Sequence, residues 1–496
     1  MALTAAQYRT MRDLFRGALS VDSANPTDTD VLTFFKQFLA DAVGATALSN
    51  ASQFLAGEIA RGILSGNFSN PTDANIVDFW TALAADANAG SAMSSTSAQY
   101  ITMKKALVGA FSRDFFNPTQ ADVFGYFNFF GLSGYLGQVA TRASMNLNVF
   151  GTATTFMNRT GHIARDTITS VQVAWANWYG ANGGGYTAPA GALTVTASIE
   201  YPAGTFTQLK WSGSASVVVA SGGNPLSDAT AIPGGIPNGA TFWVRSFLAP
   251  SANICYADGV NKSAAIGDLC MNAGSSDMTM GGTITNNSSA VIFPIAIVGQ
   301  TTKRSCLLLG HSMVDGLFDQ SADATGDNGE LQRPLNPTYA SIRLGCTGET
   351  LATFLTKATQ RVALGTYCTD IVIDYSANDL NGGATAATIL ANYTSLATLF
   401  PGKRLSLGTA APVAVTSSDS YATLGNQTVG ASEAQRQLLN TAIRAGLAGY
   451  NTIELADFVE QARSGKWKVD GTANKYTSDG THQTTFANQQ ITITLP

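Results

Sequence analysis

The chain has 496 residues, enough for two to four domains with sizeable cores. Only 12% of them are charged, the net charge is −5 and no basic run occurs, which argues against a nucleic-acid partner. Gly, Ser, Thr, Ala and Asn are abundant, so the surface reads as neutral and polar. The segment Met1 to Arg9 lacks a basic stretch followed by an apolar core. No run reaches the roughly 18 apolar residues of a spanning helix, so neither Sec export nor a membrane span is expected.

The first third holds an internal repeat. Asn25-Pro26-Thr27-Asp28 recurs as Asn70-Pro71-Thr72-Asp73 and as Asn117-Pro118-Thr119-Gln120, each followed by an apolar and aromatic run, with periods of 45 and then 47 residues. Each copy reads as two helices. Tyr8, Met11, Leu14, Phe15, Ala18 and Leu19 share one helical face, as do Val31, Phe34, Phe35 and Phe38. The proline disfavours helix at the residue before it, and Thr27 or Thr119 can cap the next helix with Asp30 or Asp122 three residues on. Residues 1–148 are therefore expected to form an α-helical repeat domain for attachment or oligomerisation.

From 149 to 300 the period changes. Thr167–Tyr179, Leu193–Tyr201, Ser214–Ala220, Thr241–Leu248 and Val291–Val298 are rich in Val, Thr, Ile and aromatics between clusters of Gly, Pro, Asn and Ser. These read as strands of a β-sandwich or jelly roll. Trp175, Trp178, Tyr179 and Trp243 could stack on sugar rings or be buried sheet aromatics. Cys255 and Cys270 could bridge within this region, while Cys306, Cys346 and Cys368 read as buried thiols.

Residues 301–496 alternate strands and helices. Strands are expected at Cys306–Leu309, Ser341–Leu344, Ile371–Tyr375, Arg404–Gly408 and Thr452–Leu455. Helices are expected at Thr350–Leu364, Thr385–Phe400 and Ala431–Gly449, giving a parallel sheet of about five strands. Gly310-His311-Ser312 follows the first strand, which exposes Ser312 at a carboxyl edge where open α/β sheets place their sites. Ser376-Ala377-Asn378-Asp379 brings Asn378, with its side-chain amide donor, to the same edge. Cys346-Thr347-Gly348-Glu349-Thr350 aims backbone N–H groups into the crevice, Gly348 foremost. A serine needs a base, and the base needs a group to fix its tautomer. Asp479-Gly480-Thr481-His482 supplies both from one turn. Of the three histidines, His162, His311 and His482, His311 adjoins Ser312 and so points to the opposite face, leaving His482. With so few histidines and no Cys-x-x-Cys, no metal or other cofactor is expected.

In this order the four strings resemble the SGNH, or GDSL, hydrolase family, over roughly residues 303–490. The resemblance implies a flavodoxin-like α/β domain with Ser312 as nucleophile and Asp479 and His482 completing the triad. It implies an oxyanion hole formed by the Ser312 N–H, the Gly348 N–H and the Asn378 amide. The sequence departs from the family pattern at His311, where the usual residue is aspartate, marking a position that modulates the site. The function expected is a serine esterase removing a small acyl group, O-acetyl above all, from a cell-surface or capsular polysaccharide. A low-charge surface without an export signal fits a phage tail or virion surface protein released by lysis. Its expected partners are a host glycan, virion proteins through the amino-terminal repeats, and further copies of itself. The rival readings are a catalytically weak or inactive SGNH-fold glycan-binding receptor protein and a structural virion decoration or adaptor protein, and the alternative setting is extracellular.

Overall fold

The computed structural model describes residues 135–496, apart from 153, 253, 259–260, 273 and 320–323. The helical repeats expected before residue 135 lie outside the described residues. Residues 137–299 and 303–496 form one compact unit.

Two antiparallel sheets occupy the region before residue 300. One has the strand order Tyr135–Gln138, Ala296–Thr301, Ile168–Ala174, Thr230–Ile236. The other runs Ser216–Val219, Leu193–Glu200, Thr241–Pro250, Phe156–Ile163, Leu269–Asn272, with Phe206–Gln208 beside Leu193–Glu200. The strand Leu193–Glu200 shows how its sequence places it. Leu193, Val195, Ala197 and Ile199 alternate with Thr and Ser, and this apolar set shares one buried cluster with Val171 and Val173 of the first sheet. Of the expected run Val291–Val298, only the part from Ala296 is strand; Val291 makes an isolated bridge to Asp258. Cys270 is a free, buried thiol, so the bridge considered for Cys255 is not formed; Cys306, Cys346 and Cys368 are also free and buried.

The parallel sheet has six strands, in the order Ala143–Ser144, Ala340–Gly345, Ser305–Gly310, Asp370–Asp374, Arg404–Gly408, Asn451–Ile453. Its five strands after residue 300, numbered along the chain, run 2-1-3-4-5, the doubly wound order of flavodoxin-like folds. The sixth is a finding the sequence reading did not anticipate, because two residues carry no periodic signal: Ile342 and Arg343 pair in parallel with Ala143 and Ser144. A segment ahead of the boundary expected at 148 thus edges the sheet. Arg343 also donates to Ser144 Oγ (2.7 Å) and Asp258 (2.8 Å), so the α/β region and the antiparallel region pack on each other.

All six residues of Ser305–Gly310 are buried, as an apolar run flanked by strands on both edges should be. Cys306 and Leu308 pack with Val372, Trp467, Ala487 and Leu495, while Leu307 and Leu309 alternate to the other face. Each such leucine contributes about 1.5–3 kcal/mol of burial. The helix expected over Thr350–Leu364 is two short helices, Leu351–Thr356 and Thr359–Leu364, separated where Lys357 (φ −133°, ψ 30°) leaves the helical region. Helices Ala386–Leu399 and Glu433–Arg444 fall inside their expected spans. Among the described residues no helix is long and apolar enough to cross a membrane.

Candidate active site

The crevice lies at the carboxyl ends of Ser305–Gly310 and Asp370–Asp374, where the strand order reverses. Strand turns into helix at once after Gly310, and only glycine permits it: a Cβ at 310 would come within 2.4 Å of the Asp374 carbonyl and 2.3 Å of Val314. Ser312 opens the short helix Ser312–Asp315, so its N–H has no partner within that helix. The neighbouring strand turns as tightly, since a Cβ on Gly345 would lie 2.5 Å from the Asp315 nitrogen.

Ser312 Oγ lies 2.8 Å from His482 Nε2, and His482 Nδ1 lies 2.6 Å from Asp479 Oδ2. Asp479 Oδ1 accepts the backbone N–H groups of Thr481 (2.9 Å) and His482 (2.8 Å). Burial pushes the Asp479 carboxyl up, but the imidazole and these backbone donors outweigh it and hold the group at about 2. It therefore stays ionised, which places a proton on Nδ1 and leaves Nε2 to accept from Ser312. Gly480 makes the turn possible, with φ 77° and no space for a side chain: a Cβ would meet the Val415 carbonyl at 1.8 Å. The Gly480 carbonyl accepts from the Val415 N–H (3.0 Å) and from Trp467 Nε1 (3.1 Å), tying the turn to the core.

The structure brings Gly348 and Asn378 to the same edge. Asn378 Nδ2 donates one hydrogen to the Glu349 carbonyl (2.9 Å), which fixes the amide beside the loop and leaves its second hydrogen for a ligand. Gly348 has φ 78°, and a Cβ there would press on the Gly183 nitrogen at 2.9 Å. The Cys346 N–H donates to the Gly310 carbonyl (2.9 Å), and Leu351 N–H donates to Asp379 (2.9 Å). The three strand-end loops are thus bonded to one another.

Glu349, Arg361 and Glu330, which hold the site, were not singled out by sequence reasoning, whereas His311 was. Glu349, fully buried, takes two bonds from Arg361 (2.5 and 2.6 Å), one from Tyr375 Oη (2.7 Å) and one from the Gly185 N–H (2.7 Å). Its place in the quoted string Cys346–Thr350 was the available signal; its partners, distant in sequence, gave none. His311 is fully buried and caps the Ser312 helix, its Nδ1 accepting the Met313 N–H at 3.3 Å. Burial holds His311 below the usual imidazole range, so it is neutral, and its Nε2 proton faces Asp374 at 3.6 Å. Glu330 completes this cluster. Burial first, and Asp374 next, push its carboxyl far above the usual range, and Gln483 donates to it at 3.0 Å. The donor atoms of His311, Glu330 and Asp374 lie within 4.8 Å of one another, the one such gathering of metal-type donors among the described residues.

The sugar-stacking role considered for the sheet aromatics is overturned for two of them. Trp175 is 1% and Trp178 0% exposed, Trp175 tilted against Trp211 and Trp178 edge-on to Tyr186. The strand expected over Thr167–Tyr179 ends at Ala174, and both tryptophans lie in the buried connection that follows it, before the strand Tyr179–Gly180. Trp243 is half-buried with the Arg159 guanidinium 3.9 Å over its ring and its N–H on the Ile266 carbonyl (2.7 Å). Tyr179 is half-buried in a two-residue strand.

No protein-family model and no curated protein matches the chain. Among solved structures it is similar to a psychrotrophic esterase from Pseudoalteromonas sp., at 14% identity over 38% of this chain and 92% of that one, with a TM-score of 0.26. It is similar also to a peptidoglycan O-acetylesterase (11% identity, 73% of this chain and 81% of that one, TM-score 0.27). A family two carbohydrate esterase from Cellvibrio japonicus matches at 12% identity, 64% and 85% coverage and a TM-score of 0.21. Likenesses this slight carry no argument about chemistry, which rests on the site's own geometry.

Proposed function

We propose that the chain is a serine esterase of SGNH type that removes small acyl groups, O-acetyl above all, from a polysaccharide. The observation that carries this reading is the line of contacts from Ser312 Oγ through His482 to Asp479, at 2.8 and 2.6 Å, at a carboxyl strand edge. Ser312 Oγ attacks the ester carbonyl as His482 Nε2 takes its proton, and Asp479 stabilises the imidazolium. The Ser312 and Gly348 N–H groups and the Asn378 amide hold the oxyanion. On collapse His482 returns the proton to the leaving sugar oxygen, leaving the acyl group on Ser312. Water, deprotonated by the same imidazole, then releases the acid. A glycan on a host surface, and a virion surface as the setting, belong to the same proposal and are supported by the low charge of the chain.

The test is release of acetate from 4-nitrophenyl acetate and from an O-acetylated polysaccharide by the full chain. Hydrolysis of both is expected, with Ser312→Ala lowering turnover by about 10⁶ while the folded state is kept, since the hydroxyl contributes little packing. Near wild-type turnover in that variant refutes the assignment.

A further inference from the structure

We propose that the pocket beside His482 is the subsite for the alcohol half of the ester, and that it takes one neutral pyranose ring bearing the acyl group. The inference rests on the esterase reading above. The histidine that protonates the leaving oxygen must stand next to it, so the alcohol half of the ester lies against the His482 imidazole. The ring found there is Phe318, stacked on the His482 imidazole at 4.9 Å between centroids and 20° between planes.

Phe318 is costly where it sits. It is 45% exposed, a large apolar ring left in water, and its φ of 69° is an outlier for a bulky side chain. A residue that forgoes both burial and a relaxed backbone while packed on the base is placed for a ligand. It lines a pocket of about 420 Å³ with Thr472, Asn474, Lys475, Thr484 and Phe486. The depression is shallow and open to solvent, a shape that suits a hydrated sugar ring better than a long apolar acyl chain. Thr472 and Asn474 offer an exposed hydroxyl and amide for sugar hydroxyls. The Lys475 ammonium lies 4.4 Å from the Phe486 ring centroid and is ion-paired to Asp470, so the pocket carries no unpaired charge to draw an acidic sugar. An aromatic platform with neutral hydrogen-bonding groups is the chemistry that grips a neutral pyranose.

The experiment compares kcat/KM for O-acetylated methyl glycosides of glucose, galactose, mannose and N-acetylglucosamine with that for ethyl acetate, which lacks the sugar. At least one glycoside should be preferred tenfold or more by the wild-type chain. Phe318→Ala should cut that ratio by about tenfold, the cost of losing one aromatic contact; Phe318→Tyr should restore most of it, and Asn474→Ala should lower it several-fold. No preference for any glycoside, or a ratio unmoved in Phe318→Ala and Asn474→Ala, overturns the subsite while leaving the esterase standing. If no ester is hydrolysed at all, ligand-detected NMR on the Ser312→Ala protein with the same glycosides decides separately. Binding that is lost in Ser312→Ala/Phe318→Ala upholds the subsite without the esterase, and absence of binding overturns it.

Discussion

The two sides of the site are built differently. Ser312, Gly348 and Asn378 sit on strand ends and loops bonded to one another, with the buried Glu349–Arg361 pair beneath them. Asp479 and His482 come from a late turn whose side chains stay 34% and 16% exposed and which is held by hydrogen bonds to Val415 and Trp467. The strand-end side gains its precision from close packing and buried charge, so damage there should register as lost stability as well as lost turnover. Damage to the turn should cost turnover far more than stability, because solvent can replace most of what a partly exposed group loses.

Asp479→Asn gives the sharpest form of this contrast. The amide keeps the shape but favours the wrong imidazole tautomer, and kcat should fall by about 10⁴. At pH 7 the variant should lose the stability that the depressed carboxyl supplies, a modest amount because the group is a third exposed and screened by solvent. The acid side should change: because the native carboxyl is held at about 2, below its ordinary 3.8, the stability it contributes is present above about pH 4 and lost as pH falls toward 2. The variant should lack that part of the acid-induced decline when unfolding is followed by circular dichroism across this range.

Arg361→Leu tests the other side. Removing the guanidinium leaves the Glu349 carboxylate buried with only Tyr375 and the Gly185 N–H, and breaking such a pair costs about 3–5 kcal/mol. Urea unfolding should show that loss, and turnover should drop with it because Glu349 carries the carbonyl to which Asn378 is fixed. A variant as stable as wild type would show that the loop is held by its neighbours and not by the charge. Asn378→Ala should be milder for the fold and lower kcat by about 10² to 10³, the cost of one oxyanion donor; an unchanged rate would move the hole elsewhere.

How much of this was legible in the sequence divides along the same line. The strand Ser305–Gly310 announces itself because burial on both faces demands a continuous apolar run, and the four strings stand at or after such runs. Asp479 and His482 were readable because one short turn carries both. What could not be read depends on contacts between residues far apart in the chain. Arg361 meets Glu349 across a helix break that periodicity does not mark, and Ala143–Ser144 joins the sheet with two residues. Phe318 looks like any core aromatic until its backbone and exposure are known. The tryptophans misled for the opposite reason, since the β-rich run Thr167–Tyr179 does not show that its strand ends at Ala174 and that Trp175 and Trp178 turn into the core beyond it.

The smallest expected effect concerns His311, where the resemblance leads one to expect aspartate. A carboxylate is a good acceptor at a helix N-cap, and here the neutral imidazole fills that role toward Met313. The reason for the exchange lies behind it, in Asp374 and in Glu330, whose carboxyl burial pushes far above the usual range. His311→Asp would place a third carboxyl in that dry cluster, and like charges there oppose ionisation. The folded state would hold the added proton above the pH at which the unfolded chain releases it, so stability must fall as pH rises from about 4 through the raised native value. The expected loss is about 1–2 kcal/mol at neutral pH, larger at pH 8 than at pH 5, with turnover within about tenfold of wild type because the cap and Ser312 survive. His311→Asn supplies the same cap without charge and should show no such slope. In the double variant His311→Asp/Asp374→Asn the two changes should be non-additive, the second recovering most of the first. If His311→Asp is as stable as wild type across this range, the cluster tolerates charge, and the histidine is there for the nucleophile and not for the acids beneath it.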